Sequence, residues 1–187
     1  CLVKPDADGH VQLDSSYVSV PVNAFQGCTE LVSIGFPSSM EVVGNQAFSG
    51  CKNLESADLS VASSLRSVNT SSFRNCAKLT DVFIPSSVRQ LGDAAFSRCL
   101  SLISLDMSQA TSLESIGSYA FQGCGKLVTV KWPTTSKLLS LSDHAFANTA
   151  IKTVTLPDSV TEMKRACFKG CLYLTDVKLS NGLTKIE

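Results

Sequence analysis

The chain has 187 residues, enough for one domain of ordinary size, and its 16 basic and 16 acidic side chains give a formal net charge of zero. With 44% hydrophobic and 17% charged residues, it has the composition of a folded protein and not of a disordered one. The balanced charge argues against nucleic acid and anionic membrane surfaces as partners, and no apolar run approaches the ~20 residues of a membrane span.

A repeat marked by phenylalanine runs along the whole chain. The markers are Phe25, Phe48, Phe73, Phe96, Phe121, Phe146 and Phe168, at intervals of 22 to 25 residues. A period of this length is typical of a stacked array. We therefore predict one domain over 1–187 with about seven rungs, preceded by a short segment at 1–10. The last rung stops after Leu183 and Ile186 without a polar cap, so we expect the native chain to be longer.

Each rung contains one short strand. Two apolar residues separated by a single residue recur at the same place, as in Ile34/Phe36 and Val82/Ile84, which is the period-two mark of a strand. A turn and a second apolar column follow. Short repeats leave no room for a long helix, so we expect the Ala-Phe segment to form a short helical or 3₁₀ turn. Gly44, Asn69, Gly92 and Gly117 share one turn position, where a positive φ is predicted.

Six of the eight cysteines occupy one column, three residues after a marker Phe: Cys28, Cys51, Cys76, Cys99, Cys124 and Cys171, with Thr149 in the remaining rung. Equivalent Cβ atoms of adjacent rungs are expected about 4.8 Å apart, wider than the 3.5–4.5 Å of a disulfide. Buried free thiols that act as small hydrophobes are the predicted state of the column.

The pattern L-x-x-V-x-L-P, followed by S-x-x-x-[IL]-G-x-x-A-F-x-x-C, resembles the BspA-like (Treponema-type) leucine-rich repeats from Val11 onward. Only the rung at Ala145 to Pro157 departs, since it lacks the Cys and one residue. The resemblance implies a right-handed, curved solenoid with a parallel β-sheet on one face and short turns or 3₁₀ segments elsewhere. It also implies adhesion or protein recognition, with no shared catalytic site.

Catalytic and metal sites have little support in the sequence. His144, with Asp143 beside it and Cys167 one rung away, is a superficial match to a nucleophile triad. Asn23, Gln46, Ser71, Ala94 and Tyr119 occupy the same column as His144, a mixture that predicts a solvent-facing position. Cys167 and Cys171 lack zinc-motif spacing, and His10 has no ligand-type residue at a suitable distance. We predict no catalytic, cofactor or metal residues, although an enzyme using His144 and a Cys remains formally open.

The outward positions of the strands are the predicted binding face. One column contains Asp81, and the next runs from acidic to basic through Asp58, Phe83, Asp106, Lys131, Thr155 and Lys178. Phe83 is the outlier, because an exposed aromatic side chain adds little to the core but can anchor a partner; packing between rungs is its alternative role. Trp132, at an inward position, is predicted to belong to the core.

The sequence therefore predicts a protein-binding or adhesion module of a cell-surface or secreted protein. An intracellular scaffold is the alternative, because free thiols persist in a reducing compartment. Asn69 matches the N-glycosylation pattern Asn-Thr-Ser, and its other interpretation is a substitute for the turn glycine. The partner is predicted to be a protein, without nucleic acid and without membrane insertion of this segment.

Overall fold

The computed structural model describes residues 1–187 as a parallel β-solenoid without helices, and therefore without a helix that could cross a bilayer. Each turn contributes a three-residue and a two-residue strand. The three-residue strands are β1 (His10–Gln12), β3 (Ser33–Gly35), β5 (Ser56–Asp58), β7 (Asp81–Phe83), β9 (Ser104–Asp106), β11 (Thr129–Lys131), β13 (Thr153–Thr155) and β15 (Asp176–Lys178). The two-residue strands are β2 (Ser19–Val20), β4 (Val42–Val43), β6 (Ser67–Val68), β8 (Gln90–Leu91), β10 (Ser115–Ile116), β12 (Ser140–Leu141), β14 (Glu162–Met163) and β16 (Lys185–Ile186). The predicted fold class is confirmed.

All strand pairs are parallel and connect equivalent strands of neighbouring turns. The two-residue strands form one continuous eight-stranded sheet from β2 to β16. The three-residue strands form three separate sheets, β1-β3-β5, β7-β9-β11 and β13-β15. In these strands the central residue points inward and its two neighbours point outward, as the alternation of a strand requires. We call the outward side of the three-residue strands the exposed face. Its ladder of backbone hydrogen bonds is interrupted twice, between β5 and β7 and between β11 and β13.

Besides the ladders of the three-residue and the two-residue strands, a third ladder of hydrogen bonds connects the turns that contain the marker phenylalanines. The N–H of Phe48 donates to the carbonyl oxygen of Ser72 in the next rung at 2.7 Å, and the N–H groups two residues before and after it donate in the same way. The residues two before each Phe have left-handed φ angles of 53–60°. Since such residues cannot continue a helix, the predicted short helical segment is limited to isolated turns, such as that from Cys51 N–H to the Phe48 carbonyl at 3.1 Å.

The prediction of a positive φ at Gly44, Gly92 and Gly117 is wrong, because none of them has one. At each of these glycines the preceding rung lies very close. A Cβ at Gly92 would be 2.5 Å from the backbone nitrogen of Thr70, and one at Gly44 would be 2.6 Å from the carbonyl oxygen of Val20. Asn69, in the same column, also lacks a positive φ. The left-handed residues lie two positions further along the chain.

The core is built around a stack of phenylalanine rings. The rings of Phe25 through Phe168 follow one another with centroid spacings of 4.9–5.7 Å and interplanar angles of 2–12°. Leucine, valine and isoleucine ladders from the strands surround this stack in one continuous cluster. Each fully buried ring contributes roughly 1.5–3 kcal/mol through the apolar area it removes from water.

The last rung departs from the predicted core. Val177, Leu179 and Ile186 occupy inward positions but are 42–63% exposed, and Leu183 is half-buried. Their exposure has a simple physical reason, because only one neighbouring rung packs against them. The inward pattern therefore fixes the direction in which a side chain points, while burial requires a rung on both sides.

Candidate functional site

The thiols of the cysteine column donate hydrogen bonds to the backbone of the solenoid. The thiol of Cys76 donates to the carbonyl oxygen of Phe48 at 3.2 Å, and Cys51, Cys99, Cys124 and Cys171 make the same bond to the Phe of the preceding rung. In the variant rung, the hydroxyl of Thr149 donates instead to Phe146 of its own rung at 3.0 Å. In the rungs from Phe25 to Phe96 the Phe carbonyl also accepts from the backbone N–H three residues later, so the thiol adds a second hydrogen bond while filling a narrow part of the core.

Burial also makes these thiols poor nucleophiles. Desolvation raises the pKa of Cys51 to about 11, and it raises the pKa of Cys76 and of Cys99 well above the usual thiol range. Because the thiolate is the reactive form, these side chains are inert near neutral pH. The predicted buried free thiols are present at Cys51, Cys76, Cys99 and Cys124, and Cys171 is free but only partly buried.

The prediction of a free thiol is wrong for Cys28, which forms a disulfide with Cys1 across a Cα–Cα distance of 5.4 Å. The spacing argument excluded bridges between neighbours in the column, but Cys1 lies outside the column. Cys28 belongs to the first Phe rung, so no earlier Phe carbonyl is present for its thiol to bond. The disulfide closes the N-terminal end of the column.

The geometry around His144 differs from the predicted solvent-facing position. The His144 ring stacks on that of Tyr119 with a centroid distance of 5.0 Å, and its Nδ1 atom is buried without a hydrogen-bond partner. Cys167 is buried, and its thiol donates to backbone carbonyls, the closest being that of Lys164 at 2.8 Å. Desolvation raises the pKa of Cys167 to about 11. The pair therefore lacks an activated thiol in contact with a histidine.

Four of the predicted binding residues meet in one cleft on the exposed face, which we call the first cleft. It lies over β5, β7 and β9 at the first interruption of the ladder, and its lining includes Asp58, Asp81, Phe83 and Asp106. Its volume is about 360 Å³. Phe83 is partly exposed and is the only large apolar side chain among the outward residues of the three-residue strands.

Hydrogen bonds hold the carboxylates of the first cleft in place. Ser104 donates to Asp81 at 2.9 Å, and Asp58 accepts from the N–H of Ser60 at 2.9 Å. Asp106 accepts from the N–H of Ser108 and pairs with Lys131 at 3.1 Å. Burial raises the pKa of Asp106, but the hydrogen bonds from Ser108 and the charge of Lys131 outweigh it and leave the pKa below its usual value. The cleft is therefore anionic around an apolar centre.

Of the three remaining predicted residues, Lys131 lines neither cleft, and the other two lie apart, in a second cleft at the second interruption of the ladder. Thr155 and Lys178 line it together with Trp132, Pro133 and Asp158. Trp132 is partly buried and packs edge-on against Phe146 at 5.8 Å, so it belongs to the margin of the core while also lining this cleft. The single predicted face is thus divided into two clefts.

The possible glycosylation residue lies on a different side of the solenoid from these clefts. Asn69 follows β6 and is half-buried, and Ser71, the third residue of the pattern, is 8% exposed. Both residues take part in a turn, since Ser72 N–H donates to the Asn69 carbonyl at 3.2 Å. Glycosylation of Asn69 stays a prediction.

Sequence reasoning missed the division into two clefts and the disulfide. The clefts arise where the pairing of the three-residue strands stops. The sequences of these short repeats contain no signal that shows where pairing stops. The disulfide had a weak signal, because Cys1 is the one cysteine outside the repeat near the start of the column. His, Cys, Asp and Glu side chains form no cluster of three or more that could hold a metal ion.

The parallel β-solenoid, with its columns of leucine, phenylalanine and cysteine side chains, defines the class of leucine-rich-repeat proteins. The model of the BspA type leucine rich repeat region matches residues 9–112 and 106–187, in six copies, so the chain belongs to this family. Such solenoids are typically non-enzymatic and generally bind proteins. No curated protein matches the chain.

Three solved structures illustrate the likeness. A leucine-rich repeat protein from Bacteroides ovatus is 24% identical with a TM-score of 0.83, over 95% of this chain and 47% of its own. A leucine-rich repeat protein of Treponema pallidum is 28% identical with a TM-score of 0.71, over 95% and 73%. A leucine rich cell surface protein from Faecalibacterium prausnitzii is 22% identical with a TM-score of 0.52, over 94% and 62%. The chain thus spans about half the length of the Bacteroides protein.

Proposed function

We propose that the chain is a non-enzymatic protein-binding and adhesion module of a cell-surface or secreted protein. The observation that carries the proposal is Phe83, a large apolar side chain held on an exposed sheet face among Asp58, Asp81 and Asp106. Partly exposed aromatic residues with a polar rim are the usual energetic centre of protein interfaces. A partner with an apolar side chain for Phe83 and basic groups for the carboxylates fits the first cleft.

The exposed face can extend the contact beyond the first cleft. Lys131 joins the first cleft through its ion pair with Asp106, and Thr155 and Lys178 line the second. A partner that reaches both clefts would meet acidic groups at one end and a basic group at the other. Such a charge gradient favours one orientation of a bound protein over its reverse.

The Cys1–Cys28 disulfide supports a location outside the reducing cytoplasm, because such bonds persist mainly in oxidising compartments. The cell-surface neighbour from Faecalibacterium agrees with this location. The six free cysteines favour the alternative, an intracellular scaffold. Alkylation of the protein from its native source, before and after reduction, distinguishes the two: two protected cysteines support the surface module, and eight free thiols support the scaffold.

Binding is tested by immobilising the folded chain and titrating purified extracellular matrix proteins and intact cells. Wild-type protein should bind at least one of them saturably, and the pair Phe83→Ala with Asp106→Lys should weaken it at least about tenfold. Ser33→Ala, on the same face but outside both clefts, is the matched control. Unchanged affinity in the paired variant would show that the first cleft is not the recognition site.

A further inference from the structure

The rung at Ala145 to Pro157, which lacks one residue, opens a pocket at the side of the solenoid. In every other Phe rung the three-residue strand begins five residues after the Cys of the column, but here Thr153 follows Thr149 by only four. The equivalents of the missing residue in the two neighbouring rungs are Lys126 and Tyr173. The shortened rung therefore leaves a space between these two side chains.

This space is a pocket of about 430 Å³, which we call the side pocket. It is lined by Ile103, Val128 and Tyr173, by Lys126 and Lys152, and by two small residues of the shortened rung and its neighbour. None of these residues lines the first or the second cleft. The side pocket is therefore a surface separate from the exposed face.

The apolar part of the side pocket is open to solvent. Ile103 is 50% exposed and Val128 is 36% exposed, although each has a rung on both sides. Leu100, in the same rung as Ile103, is 53% exposed. Single exposed apolar residues are ordinary, but neighbouring ones that line a concave surface are typical of a binding site.

The backbone at the side pocket lacks a hydrogen bond that every other junction makes. The residue before each three-residue strand donates its N–H to its counterpart one rung earlier, as Val128 donates to the Ile103 carbonyl at 3.0 Å and Thr175 to the Lys152 carbonyl at 2.9 Å. The N–H of Lys152 and the carbonyl oxygen of Val128 do not make this bond and have no other partner in the protein. One backbone donor and one backbone acceptor are thus free for a ligand.

The side pocket is also positively charged. Lys126 and Lys152 are exposed and form no ion pair, and the lining contains no acidic residue. In the flanking columns of the same rungs, Arg98 and Lys169 add positive charge, while Asp176 adds one negative charge and pairs with neither lysine. Carboxylates are therefore the complementary groups.

These features favour a peptide over other apolar anions. A fatty acid carries a carboxylate and an apolar chain, but it has no N–H group to donate to the free Val128 carbonyl. A peptide backbone carries both donors and acceptors, so it can bond to that carbonyl and to the N–H of Lys152. Its side chains can supply the carboxylates and the apolar group.

We propose that the side pocket binds an acidic segment of a partner protein, in which carboxylates flank one apolar side chain. The apolar side chain packs on Ile103 and Val128, and the carboxylates pair with Lys126 and Lys152. The backbone of the segment bonds to the Val128 carbonyl and the Lys152 N–H. The first cleft has the opposite charge, so the two sites select different partners or different parts of one partner.

Nuclear magnetic resonance of the isotope-labelled protein tests the proposal, with a short peptide of one Phe between two pairs of Glu as the probe. The amide signals of Ile103 and Lys152 should shift. Binding should be at least about tenfold tighter than for the same peptide with Ala in place of Phe, or with Lys in place of Glu. Equal binding of the three peptides, or shifts confined to the exposed face, would overturn the proposal.

Charge reversal tests the two lysines. Lys126→Glu with Lys152→Glu should abolish binding of the Glu-containing peptide and create a preference for the Lys-containing one. Lys52→Glu with Lys137→Glu, the same change of charge at exposed positions outside the pocket, should keep the original preference. Phe83→Ala should have no effect, which separates this test from that of the first cleft. An unchanged preference in the pocket variant would contradict the proposed ion pairs.

The length of the rung provides a test of the pocket itself. One serine inserted between Ala150 and Ile151 gives this rung the length of its neighbours, so it should fill the side pocket and abolish peptide binding while both lysines remain. Ile103→Ser should weaken binding severalfold, whereas Val61→Ser, at a position 55% exposed outside the pocket, should not. Melting midpoints verify that each variant is folded. Full binding by a folded insertion variant or by Ile103→Ser would remove the pocket from the site.

Two other occupants would give different results. A second copy of this chain would appear in sedimentation as a dimer that Lys126→Glu with Lys152→Glu dissociates. A lipid ligand would appear as dodecanoate binding more tightly than the peptide. Either result would overturn the assignment to a partner protein, whereas a monomer that prefers the peptide supports it.

Discussion

The thiol of Cys51 donates a hydrogen bond to the carbonyl oxygen of Phe25, one rung earlier, at 2.9 Å. This bond connects the two most regular columns of the repeat, the aromatic stack and the cysteines. The same bond recurs through most of the solenoid. Hydrogen bonding to the backbone therefore explains the Phe-x-x-Cys spacing without redox or metal chemistry.

Removal of one such thiol should destabilise the middle of the solenoid. Cys99→Ala removes one of the two donors to the Phe73 carbonyl, which still accepts from the N–H of Cys76 at 3.2 Å, and opens a small cavity, so we expect a loss of about 1–2 kcal/mol in the free energy of unfolding. Urea denaturation followed by circular dichroism measures it. Thr149→Cys is the converse variant and should not destabilise, since it restores the column. Equal stability of Cys99→Ala and wild type would contradict the role of the bond.

The disulfide should stabilise the N-terminal rungs. Cys1→Ser with Cys28→Ser opens a loop defined by a sequence separation of 27, for which loop entropy predicts a loss of about 3.5 kcal/mol. Hydrogen exchange should show the loss in residues 1–30 first. The same protection with and without reductant in the wild-type protein would show that the disulfide does not hold this end.

The buried thiols predict alkaline sensitivity. The pKa of Cys51 and of Cys167 is raised by burial from 9.0 to about 11, so the folded state keeps the neutral thiol while the unfolded chain ionises. This contribution to stability is complete below pH 9 and is lost as the pH rises towards 11. Melting midpoints between pH 7 and 11 should fall above pH 9, and Cys51→Ala should fall less steeply. Parallel curves for the two proteins would argue against burial of this thiol.

The aromatic stack should dominate stability. Phe96→Ala removes a fully buried ring between Phe73 and Phe121, and we expect a loss of about 3–5 kcal/mol. Ser104→Ala removes a largely exposed bond to Asp81 and should change stability by at most about 0.5 kcal/mol. The two melting midpoints give the comparison, and similar values would contradict the inward assignment of the phenylalanine column.

Two glycines offer a matched test of rung spacing. Gly92→Ala places a Cβ 2.5 Å from the backbone nitrogen of Thr70, so the rungs must separate, and we expect a loss of about 1–3 kcal/mol. A Cβ at Gly125 meets nothing within 4 Å, and its φ is not positive, so Gly125→Ala should be neutral or slightly stabilising. A harmless Gly92→Ala would mean that neighbouring rungs can separate without cost.

The periodic positions could be predicted from the sequence because every rung fills them with the same kind of side chain. Phe48, Leu54 and Val43 are buried for that reason, and the outward direction of Asp58 and Phe83 follows from strand alternation. Features that occur once could not be predicted in the same way. The disulfide of Cys28, the stacked and partly buried His144, and the breaks in strand pairing depend on single neighbours in space, which periodicity does not encode.

The third ladder has a mechanical consequence. Its hydrogen bonds, like those of the two strand ladders, run between rungs and therefore lie roughly along the axis of the solenoid. A pull along that axis acts on the bonds of one junction together, since they lie on different sides of the same core. Such a solenoid resists stretching along its axis because all the bonds of a junction must break together. Extension begins at the end that is held less firmly. The bridge between Cys1 and Cys28 makes the N-terminal end the firmer one under tension.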